Sequence, residues 1–293
     1  MFTVQVINFT MDLATPLVTP FDDSKNIDFE SLEHLLTQLT DRGIKRIMPA
    51  GTTGEFASLT KTEIMSLLEF TVDFVPSDTE ILIGGFPPNI AEARQWSRNV
   101  MSAGASVGVL TAPYFHTSNG PDGIFDFFDA VGKDSDLPLI IYNIPSCVGE
   151  DIPLGVIERL SREKAYIGLK DSSGRIEYGL AAKEICPEGF KVYQGFDALL
   201  QQSLQIGFDG GINALSNAFP EKYLELCQSP DSQESNVVHA KIIEPVFRTC
   251  LQYGFAPSTK AVLERRGWIQ TAVTRPPLQS TSLESLDLSG AFR

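Results

Sequence analysis

The feature of this chain that most restricts its fold is a period. Short apolar runs of strand character alternate with amphipathic stretches, and the pair recurs eight times between Leu13 and Cys227. Leu13–Val18 precedes Phe29–Leu39. Lys45–Pro49 precedes a helix starting at Thr60, where Thr60-x-x-Glu63 reads as a capping box. Glu80–Gly85 precedes Asn89–Ala103, Ser106–Thr111 precedes Gly123–Val131, and Pro138–Tyr142 precedes Pro153–Leu160, with Pro153 suited to a first helical turn. Tyr166–Lys170 precedes Ile176–Ile185, Lys191–Gln194 precedes Ala198–Gln205, and Gly207–Ile212 precedes Glu221–Cys227. Eight strand-plus-helix units of roughly 25–30 residues with short loops are the size and order of an α/β TIM (β/α)8 barrel.

Beyond Pro230 the strand pattern stops. Val237–Tyr253 and Thr259–Arg266 read as helices, and Pro276-Pro277 leads into a Ser-rich tail. The expected organisation is a catalytic barrel over residues 11–228 and a C-terminal helical appendage over residues 229–293. Residues 1–10 lack a basic start and a long apolar core, so no secretory signal is expected there, and Met11 is an alternative first residue.

A barrel of this kind carries its chemistry at the C-terminal ends of its strands, and the informative residues fall there. Tyr166-Ile-Gly-Leu-Lys170 reads as a buried strand ending on a lysine. Gly168 allows close approach of backbone or ligand, and Asp171-Ser-Ser-Gly174 offers turn and N-cap chemistry. An ordinary strand-end lysine buries its stem and sends its amine to solvent. The alternative is an amine that condenses with a ketone. After the second strand, Gly51-Thr-Thr-Gly-Glu55 is either a plain turn or an anion-binding loop with two hydroxyls, Thr52 and Thr53; it is too short for a P-loop and has no lysine. The fifth strand ends in Tyr142-Asn-Ile-Pro-Ser146, and the fourth in Ala112-Pro-Tyr-Phe-His116, which brings Tyr114 and His116 near the mouth.

Together these residues meet the demands of amine catalysis. Such catalysis needs a lysine amine below its usual pKa near 10.4, a proton shuttle such as Tyr142, and donors such as Thr52 and Thr53 for an anionic substrate end. No cofactor is called for beyond a covalent Schiff base on Lys170.

The remaining composition narrows the partners. Acidic residues exceed basic ones by 37 to 23, a formal net charge of −14, which opposes nucleic acid and anionic membranes. Acidity of this order also suits folding in concentrated salt. No apolar run has membrane-spanning length. Cys147, Cys186, Cys227 and Cys250 form no CxxC pair, which fits a reducing cytoplasm, and His34, His116 and His239 are scattered, so no metal is expected.

The chain resembles the dihydrodipicolinate synthase / N-acetylneuraminate lyase family of class I pyruvate aldolases. The likeness runs from Ala14-Thr-Pro through Asn217 and more weakly beyond, and is carried jointly by Gly51-Thr-Thr-Gly-Glu55, Tyr142-Asn-Ile-Pro and Gly168-Leu-Lys170. The resemblance implies that Lys170 forms a Schiff base with a 2-oxo acid, that Tyr142 is the acid/base, and that Thr52 and Thr53 bind its carboxylate. It further implies that Gly195 and Ile212 line the pocket through backbone groups, with Tyr114 nearby, and that the protein is a cytoplasmic homotetramer.

Two departures bear on the substrate. Dihydrodipicolinate synthases usually carry Arg where this chain has Cys147, and a second tyrosine where it has Phe115. The wording of the motifs is most similar to archaeal 2-keto-3-deoxygluconate aldolases of carbohydrate metabolism (the Entner-Doudoroff type). The expected reaction is therefore cleavage of 2-keto-3-deoxygluconate or its 6-phosphate to pyruvate and glyceraldehyde or its 3-phosphate, with Arg175 a candidate phosphate contact. The alternatives are 4-hydroxy-tetrahydrodipicolinate synthase, which condenses pyruvate with aspartate semialdehyde; a 2-keto-3-deoxy sugar acid dehydratase; and a catalytically silent metabolite-binding barrel.

Overall fold

A computed structural model describes residues 13–115 and 120–282. Eight parallel strands close into a barrel in sequence order, and β1 pairs with β8 to seal it. The strands are β1 (Leu13–Pro16), β2 (Arg46–Met48), β3 (Glu80–Gly85), β4 (Val107–Thr111), β5 (Leu139–Asn143), β6 (Tyr166–Asp171), β7 (Lys191–Gln194) and β8 (Gly210–Ile212). The crossover helices are α1 (Phe29–Asp41), α2 (Lys61–Phe74), α3 (Ile90–Ser102), α4 (Gly120–Gly132), the single turn α5 (Pro145–Val148) with α6 (Leu154–Leu160), α7 (Ile176–Ile185), α8 (Leu200–Gln205) and α9 (Pro220–Gln228). Then come α10 (Gln233–Val238), α11 (Glu244–Tyr253) and α12 (Phe255–Arg265). No helix among the described residues is long and apolar enough to cross a membrane.

Local chemistry explains where the helices begin. Asp28 and Asn89 cap α1 and α3 by accepting the amides of Ser31 and Glu92, and the Thr60–Glu63 capping box at α2 forms in both directions. Two apolar layers then assemble. The larger lies between strands and helices and includes Leu32, Leu35, Leu36, Leu39, Ile47, Ile83 and Leu169. The smaller fills the barrel itself with Ala14, Met48, Leu82, Val109, Ile140, Tyr142, Tyr193 and Ile212. The seam is fastened by Asn217, whose amide donates to the Pro16 carbonyl and whose oxygen accepts from the Val18 amide.

Four details differ from the sequence reading. Strand β6 continues one residue past Lys170, to Asp171. Pro153 stands at the N-cap of α6 instead of inside its first turn. Strand β8 starts at Gly210, because Gly207 adopts φ +97° and ends the preceding turn. Finally, Val237–Tyr253 is not one regular helix: a π-helical turn over His239–Ile243 separates α10 from α11. Pro245 follows that turn, and its ring and missing N–H disfavour a regular α-helical turn before it. His116 and residues 1–12 lie outside the described residues.

Candidate active site

The strand register builds the site. Tyr142 on β5 pairs with Lys170 on β6, and Lys170 in turn pairs with Tyr193 on β7. These positions share the inward phase of their strands, so the side chains meet at the C-terminal end of the barrel. The Lys170 Nζ lies 4.0 Å from the centroid of the Tyr142 ring. Lys170 is only 4% exposed. The solvent-reaching reading of this lysine is therefore wrong; its amine is held inside, against the face of the Tyr142 ring.

Thr52 joins the same cluster, with its hydroxyl 3.5 Å from the Tyr142 hydroxyl. Thr53, beside it, is buried. Both are carried by a tight turn in which the amides of Gly54 and Phe56 return to the Gly51 carbonyl and that of Glu55 to the Thr52 carbonyl. Those three amides serve the turn, and the hydroxyls of Thr52 and Thr53 are among the turn's groups for a ligand. A Cβ on Gly54 would approach the Leu17 carbonyl to 2.9 Å, which explains the glycine by close packing on the exit of β1.

The two glycines near the lysine have separate roles. A Cβ on Gly195 would stand 2.1 Å from the Ser172 hydroxyl and 3.1 Å from Lys170 Cε, so the glycine leaves room for the reactive side chain. Gly168 answers a different need: its added Cβ would meet the Lys191 carbonyl at 2.6 Å, and its smallness serves strand packing and not ligand approach. Ile212 is buried in the inner barrel layer with Tyr142.

Tyr114 stands at the end of β4, 52% exposed, followed by Phe115 at 81%. Neither belongs to the inner layer that holds Tyr142. Arg175, the candidate phosphate contact, is engaged by Asp151 at 2.5 Å with its side chain 45% exposed. Cys147 is exposed on α5. Among the described residues no group of three or more His, Cys, Asp or Glu side chains could hold a metal.

Sequence reasoning missed the carboxylate next to the lysine. Asp171 is fully buried and, instead of capping α7, accepts from Asn143 Nδ2 at 2.9 Å and from the Ser173 amide and hydroxyl at 3.0 Å each. Burial pushes its carboxyl above the ordinary range despite these donors. Asn143 follows Tyr142, so this bond links the neighbours of both central residues across β5 and β6. Their adjacency in sequence to Tyr142 and Lys170 was the available signal.

With this geometry in hand, the chain can be set beside known proteins. Residues 10–289 match the model of the dihydrodipicolinate synthetase family. A 4-hydroxy-tetrahydrodipicolinate synthase of Oceanobacillus iheyensis is 30% identical over 214 residues, covering 73% of this chain and 72% of its own. An uncharacterised DapA-like lyase of Pyrococcus horikoshii is 33% identical over 270 residues, covering 89% and 92%. The crystal structure of a chloride-inhibited dihydrodipicolinate synthase from Acinetobacter baumannii complexed with pyruvate superimposes with a TM-score of 0.89 at 25% identity, over 94% of this chain and 95% of that one.

Proposed function

The chain belongs to the dihydrodipicolinate synthetase family of pyruvate-dependent lyases, and from that premise we propose that Lys170 forms the Schiff base with pyruvate and Tyr142 moves the protons. The observation that carries this reading is the contact of the buried Lys170 amine with the Tyr142 ring, next to the Thr52 hydroxyl. Lys170 Nζ attacks the C2 ketone, the carbinolamine loses water, and the iminium withdraws electrons from C3. Loss of a C3 proton gives the enamine, whose C3 forms the new bond to an aldehyde carbon; the reverse sequence breaks that bond. Tyr142 gives and takes the proton of the aldehyde-derived hydroxyl. Thr52 and Thr53 hold the carboxylate, and hydrolysis of the imine restores Lys170. Gly195 and Ile212 shape the pocket around the imine, and Tyr114 is a rim residue of the same site.

Two aldehyde partners have distinct support. Most of the similar relatives are 4-hydroxy-tetrahydrodipicolinate synthases, which favours condensation with aspartate semialdehyde over the sugar-acid cleavage expected from motif wording. Cleavage of 2-keto-3-deoxygluconate stays as the second reading because of two side chains, Cys147 and Phe115, which replace an arginine and a hydroxyl. An assay with each substrate separates them. Condensation consumes pyruvate and aspartate semialdehyde and yields a cyclised imino acid, whereas cleavage releases pyruvate and glyceraldehyde. Turnover of neither would overturn both.

We also propose residues 11–228 as the catalytic barrel and 229–293 as a C-terminal helical extension, of which 283–293 lie outside the described residues, in a homotetramer.

A further inference from the structure

The chain buries a second lysine outside the site described above. Lys260 on α12 and Glu55, the last residue of the Gly51–Glu55 turn, form an ion pair in which neither side chain has exposed surface. Lys260 also donates to the Val273 carbonyl at 2.8 Å and lies 4.1 Å from the centroid of the Phe21 ring. The other Glu55 oxygen accepts the Arg275 amide at 3.0 Å. Among the described residues, the polar links from the Glu55 carboxylate run to α12 and to the segment that follows it.

Glu55 is also the strained residue of its turn, at φ +59°, a region that side chains other than glycine rarely adopt. Its amide bonds the Thr52 carbonyl, and its own carbonyl accepts the Ser58 amide. Next to it, the Phe56 ring stacks on Phe86, whose edge meets the Tyr142 ring. The Thr52–Thr53 turn is thus held from behind by Lys260 and from the side by the aromatic chain to Tyr142. A fully buried ion pair is weak evidence for stability, since apolar residues of equal volume often do as well, and fixing a geometry is its better-attested use.

We propose that the Glu55–Lys260 pair is a positioning device that holds Thr52 and Thr53 in their carboxylate-binding geometry, so that the C-terminal helices set the affinity for the 2-oxo acid. This rests on the reading of Thr52 and Thr53 as carboxylate donors. Other charges face the pair through Arg275, which stacks on Phe21 at 4.4 Å and is neutralised by Glu63, with Asp22 nearby. Burial pushes the Lys260 amine down to about 8, so the pair is poised to lose its proton under mildly alkaline conditions.

The test uses Glu55→Gln, Lys260→Met and the double variant in the full chain. The readout is the pyruvate concentration giving half-maximal borohydride trapping, with kcat measured alongside. The expected result is a rise of tenfold or more in that concentration with kcat changed less than threefold, and disappearance of the rise in a Thr52→Val/Thr53→Val background, because coupled residues are not additive. A folded double variant that binds pyruvate like the parent overturns the proposal, as does an equal rise in the Thr52→Val/Thr53→Val background. If Thr52→Val/Thr53→Val alone leaves pyruvate binding unchanged, the carboxylate-donor reading fails first, and this inference with it. Should none of the pair variants fold, the ratio of half-saturating pyruvate concentrations, unmodified protein to Thr52→Val/Thr53→Val, decides: it rises between pH 8 and about 9.5 as the Glu55–Lys260 pair loses its proton. The imine-forming amine is common to both proteins and cancels in the ratio, so a flat or falling ratio overturns the proposal.

Discussion

Lys170 and Tyr142 are register partners on adjacent parallel strands, and the lysine amine lies 4.0 Å from the centroid of the tyrosine ring. Their placement is therefore a property of the β5–β6 ladder and not of any loop. Strand-borne groups are held more rigidly than loop-borne ones, which suits a covalent step needing a fixed angle of attack. Lys170→Ala is expected to retain the fold and lose all lyase activity. Tyr142→Phe is expected to keep imine formation while kcat falls by roughly 10²–10⁴. Steady-state rates with circular dichroism as the folding control check both, and near-parental turnover of either variant removes that residue from the mechanism.

Gly195 gives a sharper steric test. An added methyl at this position would overlap the Ser172 hydroxyl and crowd Lys170 Cε. Gly195→Ala is expected to slow borohydride trapping of pyruvate at least tenfold while leaving secondary structure intact. Trapping at the parental rate would mean that the lysine does not need the space.

Asp171 tests whether the neighbouring network matters. Three donors converge on its carboxylate, and Asp171→Asn turns one acceptor oxygen into an NH2 facing them. The expected loss is about 1–3 kcal/mol of stability by denaturant titration, with kcat reduced because Asn143 and Tyr142 share a strand end. A variant as stable and active as the parent would show that the network is dispensable.

The outer edge of the Arg275 network has a defined acid response. Arg275 holds Glu63 down to about 2, from an ordinary value of 4.5, by a double hydrogen bond and its charge. A depressed folded-state pKa stabilises the fold above the unfolded value and loses that contribution as pH falls through the folded one. The Glu63 contribution is thus complete above pH 4.5 and declines toward pH 2. Glu63→Gln is expected to flatten part of the melting-temperature slope in that window and nowhere above it. An unchanged slope would contradict the assignment.

Much of this architecture is legible in the amino acids themselves. The eight apolar runs specify the barrel because each is short, β-rich and followed by an amphipathic stretch, and the barrel rule puts Lys170, Tyr142 and Thr52 at one end. What is not legible depends on contacts between segments distant in sequence. Lys260 belongs to Ser258-Thr-Lys-Ala-Val262, where helical periodicity alone cannot say that a lysine faces inward; only the approach of Glu55 makes its burial tolerable. The burial of Lys170 itself contradicts residue-type statistics, which favour an exposed lysine. The Asp151 partner of Arg175 is likewise illegible, because the two are 24 residues apart and meet only on folding.

The most direct measurement is borohydride reduction in the presence of pyruvate, followed by mass mapping of the modified peptide. Among the described residues two lysines are buried, Lys170 and Lys260. The expected result is a single reduced pyruvyl adduct on Lys170, absent from Lys170→Ala. An adduct on Lys260, or none on folded protein at low and high salt, would contradict Schiff-base chemistry at the Lys170–Tyr142 site.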